Sequence, residues 1–150
     1  MNKIKNFLEN LNDHQLILGL SLLGFLLAVL GNYFQHDWIN VDSLLYFESA
    51  RLISIGEWKQ AIAIYNWPLY STLIGLLSRA TALSIQHSAQ VWNIIFFTVT
   101  VFSLSKIIYL AGGKRLTLIC GVFLLLSSSY ISGSALPMLL RDQGFWAAFL

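Results

Sequence analysis

The sequence contains little charge for its length. Only 11% of its 150 residues are Asp, Glu, Lys or Arg, while 57% are hydrophobic. Soluble domains carry about 25% charged residues, and a soluble fold of this size leaves too much surface in water to conceal so many apolar side chains. The composition therefore predicts an integral membrane protein of the all-α class.

Cysteine and blocks of like charge are scarce as well. The net charge is +2, and the chain lacks the basic face that is typical of a nucleic-acid-binding protein. Cys120 is the one cysteine, so a single chain can form neither a disulfide nor a cysteine-based zinc site. These features disfavour a nucleic-acid partner and a disulfide-stabilised secreted fold.

Long apolar segments are what the sequence does contain. About 20 apolar residues cross a bilayer core as a helix, and we predict spans at about residues 15–34, 90–111 and 116–136, with a fourth starting at 143. A chain end in the middle of a span would leave helix-end carbonyls unpaired in hydrocarbon. We therefore expect residues 1–150 to be the N-terminal part of a longer transmembrane domain.

The basic residues predict the orientation of these spans, because short cytoplasmic loops are enriched in Lys and Arg. With the N-terminus in the cytoplasm, five of the nine basic residues fall inside: Lys3, Lys5, Lys106, Lys114 and Arg115. Most of the acidic residues then fall on the outer side: Asp37, Asp42, Glu48, Glu57 and Asp142. We therefore expect a multi-pass protein whose active side faces the outer compartment.

The segment between the first two predicted spans, residues 35–88, is more polar and is predicted to contain short amphipathic helices at the outer membrane surface. One helix is expected over residues 42–55, with Asn40 or Asp42 as its N-cap, since Asn and Asp are favoured capping residues. Gly56 is expected to stop this helix. Another is expected over residues 69–83, which is too short to span the membrane.

Two carboxylates are the candidate catalytic groups. Asp42 and Asp142 are far apart in the sequence, but both are expected at the outer boundary, where helix packing can bring them together. Such a pair can act as a general base or hold a metal ion. At about 100° per residue, Tyr46 and Ala50 share the helix face of Asp42, so Tyr46 is a candidate hydrogen-bonding group for a substrate or for a neighbouring helix.

Three short motifs follow the first predicted span in a fixed order. They are Asp42-x-x-x-Tyr46-x-x-x-Ala50-x-x-x-x-x-Gly56, then Tyr65-Asn66-Trp67-Pro68-Leu69-Tyr70, and finally Arg141-Asp142. Over residues 15–150 this order resembles the N-terminal third of the C-type (GT-C) membrane glycosyltransferases. The closest branch contains the protein O-mannosyltransferases and the aminoarabinose transferase. Relatives often have a second acid directly after the first, where this chain has Ser43.

The resemblance implies a GT-C helix bundle in a bacterial inner membrane, of which residues 1–150 would be an N-terminal fragment that is inactive alone. Such enzymes transfer a sugar from a polyprenyl-phosphate carrier to a lipid, glycan or protein acceptor at the outer face. Asp42 matches the general base, and Asp142 would shape the site or hold a divalent cation. The resemblance implies no certain cofactor, and a divalent cation is the possible one. Arg141 would neutralise the carrier phosphate, and Trp67 and Tyr70 would line the lipid or sugar path.

Other interpretations use the same residues. Asp42 and Asp142 are also good helix caps, Arg141 suits an interfacial anchor, and Trp67 and Tyr70 suit an aromatic belt. A transporter or flippase subunit is an alternative function, but transporters place ionisable groups within their spans, whereas the acids here cluster outside. A non-catalytic membrane scaffold is a third possible function. Under this hypothesis, a substitution at Asp42 causes no loss of activity.

Overall fold

The computed structural model describes residues 12–34, 39–131, 139 and 141–150, and within them the protein consists of helices without strands. The helices are α1 (Asp13–Phe34), α2 (Val41–Ser54), α3 (Trp58–Ile64), α4 (Leu69–Thr81), α5 (Ile85–Leu110), α6 (Arg115–Ser127) and α7 (Asp142–Phe149). The expectation of an all-α protein is confirmed for this part of the chain. Lys3, Lys5 and Asp37, which entered the orientation argument, lie outside the described residues.

Among the described residues, two helices are long and apolar enough to cross a membrane. These are α1, with 22 residues, and α5, with 26 residues. At about 1.5 Å per residue they measure roughly 33 and 39 Å, against a bilayer core of about 30 Å. Helix α5 begins at Ile85, before the predicted start of the second span, because Ser84 caps it: the Ser84 side chain accepts a hydrogen bond from the His87 amide at 3.1 Å.

The third predicted span is interrupted within the described residues. Helix α6 has only 13 residues and ends at Ser127, and the backbone of Ser128 is extended. Serine side chains compete for backbone hydrogen bonds and weaken a helix interior, which explains a break in the run Ser127-Ser128-Ser129. Residues 132–136 of this predicted span lie outside the described residues.

Helices α1 and α5 pack antiparallel and form the main apolar core with α6. The His14 ring lies 5.9 Å from the Tyr109 ring near one end. Further along, Gly24 lies so close to α5 that an added Cβ would meet the Val101 side chain at 2.8 Å. At the His14 end, Arg115 Nε contacts Asp13 Oδ1 at 2.9 Å, which ties the start of α1 to the turn between α5 and α6.

Helices α2, α3 and α4 pack together, and α4 is joined to the first half of α5. The Trp92 indole N–H donates to the Leu73 carbonyl at 2.9 Å, which links α4 to α5. Helix α2 starts and ends one residue before its predicted bounds. Of the two predicted caps it uses Asn40, whose Oδ1 accepts from the Asp42 amide at 3.1 Å. Helix α3 was not predicted from the sequence, and α4 ends at Thr81, slightly before the predicted end.

Candidate functional site

An open groove with a volume of about 760 Å³ lies between α4, α5 and α7. Its walls are mainly apolar and aromatic, and they include Trp67, Tyr70, Leu73, Phe96, Phe145 and Phe149. Arg141 and Asp142 also line the groove and are its two charged residues. The structure thus brings four of the predicted site residues, Trp67, Tyr70, Arg141 and Asp142, to one surface.

Arg141 occupies the N-cap position of α7, and its side chain contacts a tyrosine from another element. Nη1 of Arg141 donates a hydrogen bond to the Tyr65 hydroxyl. The guanidinium carbon also lies 6.0 Å from the centre of the Tyr65 ring. An exposed arginine held in this way keeps further N–H donors for an anion, since a guanidinium carries five of them.

Asp142 is the first residue of α7 and is half-buried. Its Oδ2 accepts a hydrogen bond from the Tyr130 hydroxyl at 3.2 Å. The Tyr130 ring in turn lies edge-on to Trp146 at 5.9 Å. The neighbouring charges Arg141 and Asp142 are therefore bonded to different phenols, Tyr65 and Tyr130.

Tyr46 lies behind the groove in a cluster of aromatic rings. Its ring is edge-on to Tyr65 at 5.0 Å and to Tyr70 at 5.6 Å. Burial, with a smaller contribution from Tyr65, raises the pKa of the Tyr46 phenol to about 12. Burial likewise raises the pKa of Tyr70. Both phenols therefore stay protonated at neutral pH and can donate hydrogen bonds.

Asp42 is exposed in the first turn of α2, and it is not among the residues that line the groove. Its neighbour Ser43 is fully buried and donates through Oγ to the Leu139 carbonyl at 3.2 Å. This contact joins the first turn of α2 to the segment that leads into Asp142. Asp42 and Arg141 both act electrostatically on the Tyr46 phenol, in opposite directions.

Two residues that hold the charged groups were not assigned a role from the sequence. Tyr65 lies in the aromatic-proline motif, which pointed to Trp67 and Tyr70 as site residues but did not predict a contact between Tyr65 and Arg141. Tyr130 follows α6 in a serine-rich stretch, and nothing in its local sequence pointed to Asp142. The contacts join positions that are 76 and 12 residues apart and belong to different elements, so rules that use neighbouring residues do not predict them.

The structure gives no support for a divalent-cation site among its described residues. No group of three His, Cys, Asp or Glu side chains lies together there in a way that could hold a metal ion.

The chain was compared with protein-family models, with curated proteins and with solved structures, and none of them matches it. A function must therefore be argued from the groove and its surroundings.

Proposed function

We propose that this chain belongs to a multi-pass membrane glycosyltransferase of GT-C type, which moves a sugar from a polyprenyl-phosphate carrier to an acceptor hydroxyl. The observation that carries the proposal is the combination of an apolar, aromatic groove with a guanidinium and a carboxylate on its wall. A polyprenyl phosphate likewise combines an apolar part, its isoprenoid chain, with a charged part, its anionic phosphate. Arginine matches phosphate oxygens in charge and geometry.

The residues suggest the following division of roles. The Asp42 carboxylate takes the proton from the acceptor hydroxyl, and the acceptor oxygen attacks the anomeric carbon of the sugar. The bond between that carbon and the phosphate oxygen breaks, and the polyprenyl phosphate leaves with the electron pair. Arg141 stabilises the charge on the leaving phosphate. The Asp142 carboxylate orients the sugar by accepting hydrogen bonds from the sugar hydroxyl groups.

The membrane setting of the proposal is supported by the helix lengths and by the separation of two charged regions. The ion pair of Asp13 and Arg115 lies near Tyr109, whereas the groove lies beside Phe96. Positions 96 and 109 of a helix are about 20 Å apart along its axis. If α1 and α5 cross the bilayer, the basic turn faces the cytoplasm and the groove opens towards the outer compartment of a bacterial inner membrane.

Transfer itself is the direct test. Membranes containing the full-length protein are given radiolabelled polyprenyl-phosphate hexoses and pentoses, one at a time, and the expected result is label in an acceptor from at least one donor. Membranes with an Arg141→Gln variant at equal abundance should transfer the same sugar more slowly, because the phosphate has lost its cation. Transfer no faster than in membranes without the protein, for every donor in the set, would contradict the proposal.

Sidedness gives a separate prediction. Cys120 is exposed on α6 and is first replaced by Ala, and single cysteines are then introduced at Asp42, Asp142 and Lys114. A membrane-impermeant maleimide added to intact cells should label positions 42 and 142, and it should label position 114 only after the membrane is permeabilised. Labelling of 42 and 142 from opposite sides would rule out a shared catalytic site.

A further inference from the structure

Tyr65 is fixed at the end of α3 by its backbone and by its ring. It is the C-cap residue, with extended dihedral angles, and its amide donates to the Ala61 carbonyl at 3.0 Å. Its ring packs edge-on against the buried ring of Tyr46, and the two ring centres are 5.0 Å apart. A half-buried phenol with these restraints presents its hydroxyl at a defined place.

That hydroxyl accepts a hydrogen bond from Nη1 of Arg141. Arg141 is otherwise exposed at the start of α7, and a long exposed side chain loses rotational freedom when a ligand orders it. A partner that already holds the guanidinium lowers this cost. The neighbouring carboxylate of Asp142 is bonded to Tyr130, so the two phenols direct the opposite charges of Arg141 and Asp142 to separate partners.

We propose that Tyr65 is a positioning residue, which holds the Arg141 guanidinium on the groove wall in the orientation that binds the phosphate of a lipid donor. The role rests on the proposed function, since it requires that the groove binds a polyprenyl phosphate. Tyr65 does not touch the reacting atoms. It acts through Arg141, and the part of Tyr65 that matters is the hydroxyl oxygen rather than the ring.

A Tyr65→Phe variant separates these two parts, because it keeps the ring against Tyr46 and removes the hydroxyl that bonds to both Arg141 and the Tyr46 phenol. The probe is a photoreactive polyprenyl monophosphate, and unlabelled undecaprenyl phosphate or uncharged undecaprenol competes for the site in detergent micelles. Loss of a hydrogen bond to a charged group is expected to weaken undecaprenyl phosphate binding about tenfold. Binding of undecaprenol should not change.

The double variant distinguishes positioning from a general structural effect. If Tyr65 acts through Arg141, Tyr65→Phe combined with Arg141→Gln binds undecaprenyl phosphate no more weakly than Arg141→Gln alone, because groups in one network are not additive. In the transfer assay, Tyr65→Phe should raise the KM for the donor and leave kcat nearly unchanged. Tyr109→Phe, at the other end of α5, is the matched control and should behave as the unaltered protein.

The outcomes separate this proposal from the one on which it rests. If the unaltered protein binds undecaprenyl phosphate no better than undecaprenol, both proposals fail. If it prefers the phosphate and Tyr65→Phe keeps the full preference, or if the two substitutions weaken binding additively, the positioning role is wrong and the proposed function stands. Should Tyr65→Phe not fold, Arg141→Lys provides the test, since a lysine cannot present the planar fork that Tyr65 orients and should also lose about a tenfold preference.

Discussion

Replacing Asp42 with Asn is expected to lower the rate of sugar transfer by about 100- to 10,000-fold, which is the usual contribution of a general base. The amide cannot take the proton from the acceptor hydroxyl, whereas the binding of the lipid donor does not require that proton transfer. The loss should therefore appear in kcat and not in the KM for the donor. Initial rates with a radiolabelled polyprenyl-phosphate sugar measure both quantities.

The structure makes this experiment interpretable, because Asp42 is not the cap of its helix. Asn40 accepts the capping hydrogen bond, so the substitution at Asp42 removes only a favourable charge in the first turn of α2, a contribution of about 0.3–1 kcal/mol. Glu48→Gln is the matched control. Glu48 is an exposed acid on the same helix, paired with Arg51 at 2.7 Å, and exposed pairs contribute little.

A folded Asp42→Asn protein that transfers sugar at the normal rate would remove Asp42 from the mechanism and would favour the scaffold interpretation. An equal loss in Glu48→Gln would show that the assay reports on general damage to α2 rather than on a base.

The second large effect is expected at Gly75, where α4 packs directly against α2. A Cβ at this position would lie 2.6 Å from the Ala50 carbonyl oxygen and 3.1 Å from the Ile53 side chain. A backbone carbonyl cannot rotate out of the way, so Gly75→Ala must push the two helices apart. We expect a loss of about 1–3 kcal/mol in the free energy of unfolding, less the gain of up to about 1 kcal/mol that alanine gives within a helix.

Thermal unfolding in detergent measures this loss, and Gly19→Ala provides the control. Nothing lies within 4 Å of an added Cβ at Gly19, so that variant should be neutral or slightly more stable. Helix α4 also carries Tyr70 and Leu73 to the groove, and Gly75→Ala should therefore weaken undecaprenyl phosphate binding. Unfolding of Gly75→Ala at the same temperature as the unaltered protein would show that α2 and α4 are not in close contact.

Local rules predicted much of the helical framework. The apolar stretches became α1 and α5, because a helix satisfies its own backbone hydrogen bonds where apolar side chains exclude water. Asn40 and Gly56 bound α2 as expected for a cap and a stop. Gly56 indeed has a φ of 90°, a conformation that glycine adopts without strain. Such features depend on a few neighbouring residues, and a sequence displays them directly.

The same rules failed to predict α3 and the break at Ser128, where helical and non-helical conformations are nearly equal in local preference. Helix α3 is only 7 residues long, and a helix of this length depends on packing rather than on propensity. Its buried residue is Ala61, whose carbonyl accepts from Ser49 of α2 at 3.3 Å. The break of the third predicted span at Ser128 is a similar case, since an apolar composition alone does not show where serines interrupt a helix.

By itself the sequence determined that the chain is low in charge and apolar, and it predicted an all-helical protein with several membrane spans. The described residues are all-helical and include two helices long enough to cross a membrane. Only the tertiary structure decided that Trp67, Tyr70, Arg141 and Asp142 share one groove, and that phenols hold its charges. The contact of Arg141 with Tyr65 joins positions 76 residues apart. Chain spacing does not specify such a contact, because it arises from how several helices pack, and packing depends on all their side chains at once.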